Sequence, residues 1–337
     1  MNIERGLPGA CHQSFDDFDQ YRSAIRGGEV GYGLIGRGVF RAELTSIEAG
    51  RLFLQRGRAN LPRLVASSMP SKRVGILGWL GDGQLPVVRG AQMRQGEFMC
   101  LGSGMESHHR NFGCNDFAAL TLDETDLARA AMDLTGRELA VTAGRVLRPP
   151  DHLGVWLLSV IDAATRASLA TPDIFTSAPA VDALEHALLR PMIRCLLDGE
   201  ARRDGVPLAH RAAIASRFTA AVEASLDGPL HIPDLCRTVG ITARTLNTLC
   251  HEQLGMSAQR FLTLRRLHLT RRALLRSDHG HKTVTEIATS LGIWELGRFA
   301  VAYKSLFGES PSSTLRRPPE LSPAIGILPA TIMAKAA

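Results

Sequence analysis

The sequence predicts an α+β chain of two domains, the first rich in β-strands and the second all-α. Three observations carry this prediction. Short stretches of alternating polarity, separated by glycine-rich turns, fill the N-terminal part of the chain. Helical periodicity of apolar residues begins near Asp123. One short pattern then occurs twice between His231 and Arg317, which indicates two copies of the same structural unit.

Residues 1–122 are expected to be mainly β-structure. A glycine-dense stretch, Gly31–Gly38, lacks the Lys-Ser/Thr ending and the following helix of a phosphate-binding loop. Strands are predicted at Val39–Ile47, Arg51–Gln55, Val74–Leu80 and Glu97–Leu101, each bounded by Gly, Pro or Asp. Many short strands joined by tight turns favour a small sandwich or barrel.

Two groups of polar side chains in this part are candidates for binding a ligand. Glu106, His108 and His109 carry metal-ligating atoms. Adjacent histidines point to opposite faces of a strand, however, so we expect a polar loop and assign no metal site. A series of basic residues fits either an anionic ligand or a solvated strand face. The series consists of Arg51, Arg56, Arg58, Arg63, Lys72 and Arg73.

Three amphipathic helices are predicted in the segment 123–198. They span Glu124–Leu134, Asp151–Leu169 and Ala180–Leu197, and Pro191 is expected to kink the third. The first helix fits a cap on the β domain. The second and third fit either the same role or a pair of helices between subunits, and their periodicity does not separate the two.

The boundaries of the C-terminal part follow from composition. Residues 199–208 are polar, contain two glycines and a proline, and are predicted to form a linker. The domain that follows covers 209–317 and opens with a helix at Ala209–Leu226. Residues 318–337 are rich in proline and alanine and are predicted to be a disordered tail.

The repeated pattern in the C-terminal domain predicts a pair of helix-turn-helix units. Each copy has a short amphipathic segment, a Gly-Ile step at Gly240 or Gly292, a longer helical segment and a closing glycine. Glycine permits the positive φ that such a turn requires. Thr242 is expected to cap the second helix of the first copy.

The spacing of apolar residues assigns a buried face to each helix of the repeat. The buried positions are Leu235, Val239, Leu246, Leu249 and Cys250 in the first copy, and Ile287, Leu291, Phe299, Tyr303 and Leu306 in the second. Between the copies, Gln259–Arg276 reads as one unbroken helix with six arginines and no acid. Arg271 falls within the apolar register of that helix.

These residues resemble the AraC/XylS family of transcriptional regulators. The family's linker-helix pattern is similar to Arg266-Leu267 followed by Arg271–Leu275. Its second helix-turn-helix pattern is similar to the residues Val284, Ile287-Ala288, Gly292-Ile293, Phe299, Tyr303-Lys304, Phe307-Gly308 and Ser310-Pro311. The resemblance covers roughly residues 210–317. Ile293 stands where the family favours Phe, and Leu296, Gly297 and Val301 stand where polar groups often face DNA.

The resemblance implies a sequence-specific regulator that binds double-stranded promoter DNA. Two recognition helices would enter successive major grooves about 34 Å apart. Arg244 would read guanine, Asn247 adenine, and Thr248 a base or a phosphate. Arg298 would contact a base or a phosphate. His251, Lys304 and Arg316 would contact the DNA backbone.

The resemblance also implies partners and an architecture for the N-terminal part. It implies a cupin-like effector domain at 1–122, a small-molecule effector, a homodimer, and activation through RNA polymerase. Two alternatives stay open. One is a cupin-type metal-dependent enzyme fused to a DNA-binding module, although we assign no catalytic residue and no cofactor. The other is a constitutive DNA-binding protein without an effector.

Charge is distributed unevenly between the two parts. Residues 201–320 hold 17 Lys and Arg against 10 Asp and Glu, whereas the remainder holds 22 against 23. A basic domain joined to a neutral one is typical of phosphate binding by one part only, and a merely soluble basic surface is the alternative.

Cysteine use and hydropathy predict the compartment. The six cysteines form no Cys-x-x-Cys pair, which favours free thiols in a reducing compartment. The N-terminus lacks the apolar run of a secretory signal, and no apolar run is expected to span a membrane. We therefore expect a cytoplasmic protein that makes no membrane contact.

Overall fold

The computed structural model describes residues 9–81, 83–88, 91–202, 214, 217–218, 221–222, 224–225, 230–277 and 282–318. These residues form an N-terminal antiparallel β region with helices packed on it and a helical C-terminal domain. The predicted α+β organisation is therefore confirmed. The predicted tail, and most of both the predicted linker and the predicted helix Ala209–Leu226, lie outside the described residues.

The β region consists of two sheets. The strands are β1 Ala10–Phe15, β2 Glu29–Leu34, β3 Ala42–Ala49, β4 Leu52–Ala59, β5 Arg63–Ser68, β6 Arg73–Leu80, β7 Val87–Val88, β8 Ala91–Gln92, β9 Phe98–Leu101, β10 Glu106–Asn111, β11 Asn115–Asp123, β12 Val146–Arg148 and β13 Glu200–Ala201. One sheet has the order β1-β3-β4-β11-β6-β9-β12-β13, and the other has β2-β5-β10-β7-β8. The four strands predicted from alternation are confirmed, with their ends shifted by up to four residues.

Two segments differ from their predicted structure. Glu106–Asn111 is the central strand β10 of the smaller sheet and pairs with β5 and β7, so the expectation of a polar loop is wrong. Its polar residues misled the prediction because several of them face the interior, where Asn111 is 1% exposed. The first residues of the predicted linker, Glu200–Ala201, form a short strand that pairs with β12.

Four α-helices belong to the N-terminal region. They are α1 Phe18–Ala24, α2 Glu124–Thr135, α3 Asp151–Ala170 and α4 Ala178–Asp198, with a 3-10 helix at Pro172–Thr176. Helix α2 ends at Gly136, which adopts φ +67°. Side chains from α2, α3 and α4 join the core of the larger sheet, among them Leu127, Leu157 and Leu188. The three predicted helices therefore cover this sheet.

Helix α3 is long and apolar enough to cross a membrane by length and composition, contrary to the expectation from the sequence. Its inner residues Leu157 and Ile161 are buried in the core, whereas Val155 is 67% and Trp156 40% exposed. The core helix of a soluble protein can have the same length and apolar composition. These two properties of α3 are therefore weak evidence that it spans a membrane.

The C-terminal domain contains six described helices. They are α5 Ile232–Val239, α6 Ala243–Leu254, α7 Ala258–Arg276, α8 Val284–Ser290, α9 Leu296–Phe307 and α10 Pro311–Leu315. Helices α5 and α6 form the first predicted unit, α8 and α9 the second, and α7 joins them. The residues predicted to be buried in both copies are buried, with exposures from 0% to 7%.

Turn and cap residues explain why the two copies fold alike. Gly240 and Gly292 follow the first helices with φ +71° and +74°, a left-handed conformation that other residues adopt only at a cost. Thr242 caps α6 by accepting a hydrogen bond from Thr245 N, as predicted. Thr283 and Glu286 form a reciprocal capping box on α8.

Candidate nucleic-acid interface

The first unit turns four polar side chains outward from its second helix. Arg244, Asn247, Thr248 and His251 lie on α6 and are all exposed, while Leu246 on the same helix is fully buried. A helix-turn-helix unit places its second helix in a groove of DNA, and on α6 these four residues lie opposite the buried face. The structure thus brings these four predicted residues onto one surface.

Two of these residues also make hydrogen bonds within the domain. Asn247 Oδ1 accepts a hydrogen bond of 3.0 Å from the backbone N–H of Ala258, at the start of α7. Thr248 Oγ1 donates to the carbonyl of Arg244 at 3.1 Å. Bidentate reading of adenine uses both the oxygen and the nitrogen of an Asn amide. The bond from Ala258 occupies one of the two lone pairs of Asn247 Oδ1 and restricts the orientation in which the amide can meet a base.

The second unit presents a less polar surface. Arg298 is exposed on α9, and its guanidinium donates to Glu295 Oε2 at 2.9 Å. The two side chains are 85% and 68% exposed, so this ion pair is a weak restraint. Lys304 on the same helix and Arg316 after α10 are also exposed.

Leu296, Gly297 and Val301, which stand where the family often has polar groups, have different environments in the second unit. Leu296 is half-buried and packs against the core. Gly297 is exposed, and no atom lies within 4 Å of where its Cβ would be. Val301 is 72% exposed, so of the two apolar side chains only that of Val301 faces outward.

Trp294 is a candidate that the sequence reasoning missed. It lies two residues before helix α9 and is 77% exposed, the highest value among the exposed large hydrophobic side chains in the described part of the chain. The sequence contains a clue to it: Trp294 is a large aromatic residue directly after Gly292-Ile293, and it lies outside the series of apolar positions predicted to be buried. An indole at this place offers one N–H donor and a broad apolar surface.

The linker helix α7 is buried against the N-terminal region through Arg271. The Arg271 side chain is 3% exposed and forms ion pairs with Asp17 at 3.0 Å, Asp19 at 2.9 Å and Glu309 at 2.5 Å. Arg317 also pairs with Asp17 and with Glu309. We call these five residues the Arg271 cluster. It connects α1, the linker helix and the end of the second unit.

Electrostatics within this cluster favour the charged forms of Asp17 and Arg271. Burial alone would raise the pKa of Asp17, but Arg271 and Arg317 hold that pKa below its ordinary value of 3.8. Burial alone would lower the pKa of Arg271, whereas Asp19 and Asp17 raise it. Arg271 also lies over the rings of Phe18 and Phe307, at 4.9 and 5.0 Å from their centroids.

His268 forms a second contact between the linker helix and the β region. Its Nε2–H donates to the carbonyl of Leu34 on β2 at 2.9 Å, and the side chain is 2% exposed. Burial lowers the pKa of His268 to about 4; the hydrogen bond to Leu34 opposes this effect, and Arg271 and Arg22 add smaller lowering effects. The imidazole is therefore neutral at pH 7.

The candidate ligands of the β region are only partly brought together. His109 is buried, with its ring 5.5 Å from that of Trp79, Glu106 is exposed, and the side chain of His108 is outside the description. Among the described residues, no group of three or more His, Cys, Asp or Glu side chains is placed to hold a metal ion.

The basic series of the β region has structural partners. Arg56 pairs with Asp116 and Asp162 at 2.8 and 2.9 Å, and Arg51 pairs with Glu185. Arg63 is 1% exposed. These three residues therefore do not form a solvated strand face.

Comparisons with known proteins agree with the geometry of the C-terminal domain. A family model described as a helix-turn-helix domain matches residues 235–317. The probable thc operon regulatory protein of Rhodococcus erythropolis is 40% identical over 98 residues, which cover 29% of this chain and 30% of that protein. The XylDLEGF operon transcriptional activator 1 of Pseudomonas putida is 33% identical over 96 residues, which cover 28% of this chain and 29% of that protein.

The C-terminal region is therefore a helix-turn-helix domain of the AraC type, and its relatives are regulators of the AraC/XylS family. The match spans about 30% of the length of these curated relatives. Among solved structures, the AraC-like transcriptional activator CuxR is 19% identical with a TM-score of 0.39, over 76% of this chain and 94% of that chain.

Proposed function

We propose that the protein is a sequence-specific, double-stranded DNA-binding transcription regulator that acts as an effector-responsive activator. The observation that carries this proposal is the row of exposed donors on α6, presented by a unit whose core and turn recur in α8 and α9. The relatives named as an operon regulatory protein and an operon transcriptional activator support it.

The seven predicted contact residues divide into two roles. Arg244 reads guanine, and Asn247 and Thr248 contact bases or phosphates beside it. His251, Lys304 and Arg316 hold the DNA backbone, and Arg298 contacts a phosphate or a base. Helix α7 fixes the distance between the recognition helices, so that they enter successive major grooves of the same face of the duplex.

The N-terminal region supplies regulation in this proposal. It is a cupin-like domain that binds a small effector and alters how the DNA-binding domain is held. The Arg271 cluster and the His268–Leu34 hydrogen bond are the contacts through which such an effect would pass. We further propose a cytoplasmic homodimer that contacts RNA polymerase. The exposed apolar residues Val155 and Trp156 on α3 support a dimer surface there.

The test compares binding of specific and random duplexes by Arg244→Ala and by Arg237→Ala. Arg237 is a matched control, because it is exposed on the first helix of the same unit and its ion pair among the described residues is the local one with Asp234. Arg244→Ala should lose about 1–3 kcal/mol of discrimination between the duplexes, and Arg237→Ala should keep it. Equal weakening of both duplexes in Arg244→Ala would exclude base reading by this residue.

A further inference from the structure

A cavity lies between the two sheets of the N-terminal region and encloses about 80 Å³. A space of this size holds on the order of half a dozen non-hydrogen atoms. Its wall is mainly apolar and includes Val30, Val65, Met69, Leu77, Leu101 and Phe117. Arg26, which is exposed, lies at its rim. The cavity therefore suits a small ligand with a largely apolar body.

Two buried polar atoms of the cavity wall have no described hydrogen-bond partner. They are the hydroxyl of Tyr32 and Oδ1 of Asn111, on side chains that are 3% and 1% exposed. A buried polar group without a partner is rare, because it loses its hydration and gains nothing in exchange. Two such groups in one cavity point to a ligand that bonds to them.

The strand register places both groups on the same wall. Tyr32 of β2 lies opposite Val65 of β5, which lies opposite His109 of β10. Asn111 is two residues further along β10, so its side chain is on the same face of the sheet as that of His109. A polar group of one ligand can thus meet both side chains while its body contacts the apolar wall.

The charges around the cavity select against ionised ligands. Arg63 lines the cavity, and its Nη1 donates to the carbonyl of Leu61 at 3.0 Å while Nη2 donates to Asn115 Oδ1 at 2.7 Å. Its charge repels a cationic ligand. A carboxylate has no hydrogen to donate to Asn111 Oδ1, so that buried oxygen would stay without a partner if a carboxylate occupied the cavity.

We propose that this cavity binds a small uncharged molecule with a mainly apolar body and a hydroxyl or amide group. That group accepts a hydrogen bond from Tyr32 and donates one to Asn111 Oδ1. This names the chemical class of the effector in the proposed function and rests on that function for its regulatory meaning. Strand β2 carries Tyr32 in the wall and Leu34 at the contact with His268. A ligand in the cavity therefore contacts the same strand, β2, that holds helix α7 through His268.

The test is calorimetric titration of the purified full chain, without DNA, with phenol, toluene and benzoate. Phenol and toluene have the same number of non-hydrogen atoms and differ in the hydroxyl. Phenol should bind roughly 5–100-fold more tightly than toluene, the range expected for two net hydrogen bonds, and more tightly than benzoate.

Two matched variants locate the effect. Tyr32→Phe should reduce the preference for phenol over toluene, because only the hydrogen bond to Asn111 Oδ1 remains. Tyr21→Phe should retain the full preference, because the Tyr21 hydroxyl is also buried and has no described partner but is not part of the cavity wall. Equal affinity for phenol and toluene, tightest binding of benzoate, no binding of any of the three, or equal reduction of the preference in both variants would overturn the assignment.

A separate measurement distinguishes this inference from the proposed function. Phenol should change the affinity of the wild-type protein for its specific duplex, and the same phenol concentration should change it less in Tyr32→Phe. Binding of phenol by a protein that shows no preference for any duplex would overturn the proposed function and leave the cavity assignment intact. Specific DNA binding by a protein that does not prefer phenol would overturn the cavity assignment and leave the proposed function intact.

Discussion

The two helix-turn-helix units share a backbone design but differ in what they present to solvent. Both turns rely on a glycine in the left-handed region, Gly240 and Gly292. On the outside, the first unit carries a row of polar side chains that begins with Arg244. The second exposes the apolar side chains of Trp294 and Val301 beside Arg298 and Lys304. Packing constrains the inner positions of both copies, whereas the outer positions are free to diverge and to read different DNA.

The two units also differ in how they are held. Residues that end the second unit, Phe307 and Glu309, pack with Arg271 against helix α1 of the N-terminal region. The first unit meets that region at Gly255, where any side chain would overlap the guanidinium of Arg110. The second unit is thus anchored by a buried charge cluster and the first by closer backbone approach. Loss of the cluster should therefore affect the second unit more.

The largest predicted effect is that of Arg271→Leu on stability. Removal of this guanidinium leaves Asp17 and Asp19 buried with less compensation, which costs about 3–5 kcal/mol when one partner of a buried ion pair is deleted. Urea unfolding measures the loss. Hydrogen exchange should rise more in α8–α10 than in α5 and α6.

Arg237→Ala is the control for this variant, since its pair with Asp234 is exposed and should contribute less than about 1 kcal/mol. A loss of unfolding free energy in Arg271→Leu as small as in the control would contradict the predicted role of the cluster. Hydrogen exchange that rises equally in both helix-turn-helix units would contradict the claim that the cluster anchors the second unit more than the first.

The second prediction concerns pH and tests the contact of the linker helix with β2. The pKa of His268 is about 4 in the folded chain and near 6.5 when the chain unfolds. Between these values the unfolded state binds a proton that the folded state does not, so stability should fall as pH decreases from 6.5 to 4. The full loss is roughly 3 kcal/mol.

Urea midpoints measured across this pH range in wild type and in His268→Gln provide the check. The variant should lose most of the slope. Asp17 does not account for the same window, because its lowered pKa makes its contribution disappear only below pH 3.8. Identical slopes in the two proteins would contradict the assignment to His268.

A smaller effect is expected for Arg298→Ala in the second unit. If Arg298 contacts a phosphate, specific and random duplexes should weaken to the same extent. The slope of log affinity against log salt should decrease in magnitude by about one. Filter binding at several salt concentrations measures both quantities. A loss confined to the specific duplex would make Arg298 a base reader and the two units more alike.

The smallest effect is expected for Val301→Ala. Val301 is 72% exposed, so the free energy of unfolding should change by less than about 0.5 kcal/mol. If its methyl groups meet a thymine methyl group, DNA binding should weaken by about 1 kcal/mol or less. Replacement of that thymine by uracil should cause the same loss, and the two changes together should cost little more than either one. If the losses of binding free energy from the two changes add in full, Val301 does not contact the thymine methyl group.

Local patterns in the sequence were sufficient to predict the repeated units. Apolar spacing, two turn glycines and the Thr242 cap depend on residues within a few turns of one another, and each lies where it was expected. The strands with clear alternation were found for the same reason. Strand β10 was missed because its inward residues are polar, and alternation of apolar and polar residues was the signal used.

Long-range contacts account for what the sequence did not predict. Arg271 and Asp17 pair across 254 positions of the chain, and no local pattern encodes that partner. The placement of Arg271 within the apolar register of its helix was the available clue, because a charge at such a position must be paired when buried. Likewise, the hydrogen bond from Ala258 to Asn247 depends on the packing of α7 against α6 and restricts the orientation in which the Asn247 amide can meet a base.

The most direct test of this account is selection of binding sites from random duplexes by the purified full chain at moderate salt. The account predicts enriched sites with two blocks of conserved bases about one helical turn apart, the block read by the first unit being the more sharply defined. In Arg244→Ala that block alone should lose definition. Recovery of no common sequence, or of two equally sharp blocks that Arg244→Ala leaves unchanged, would contradict the claim that the two copies read DNA differently.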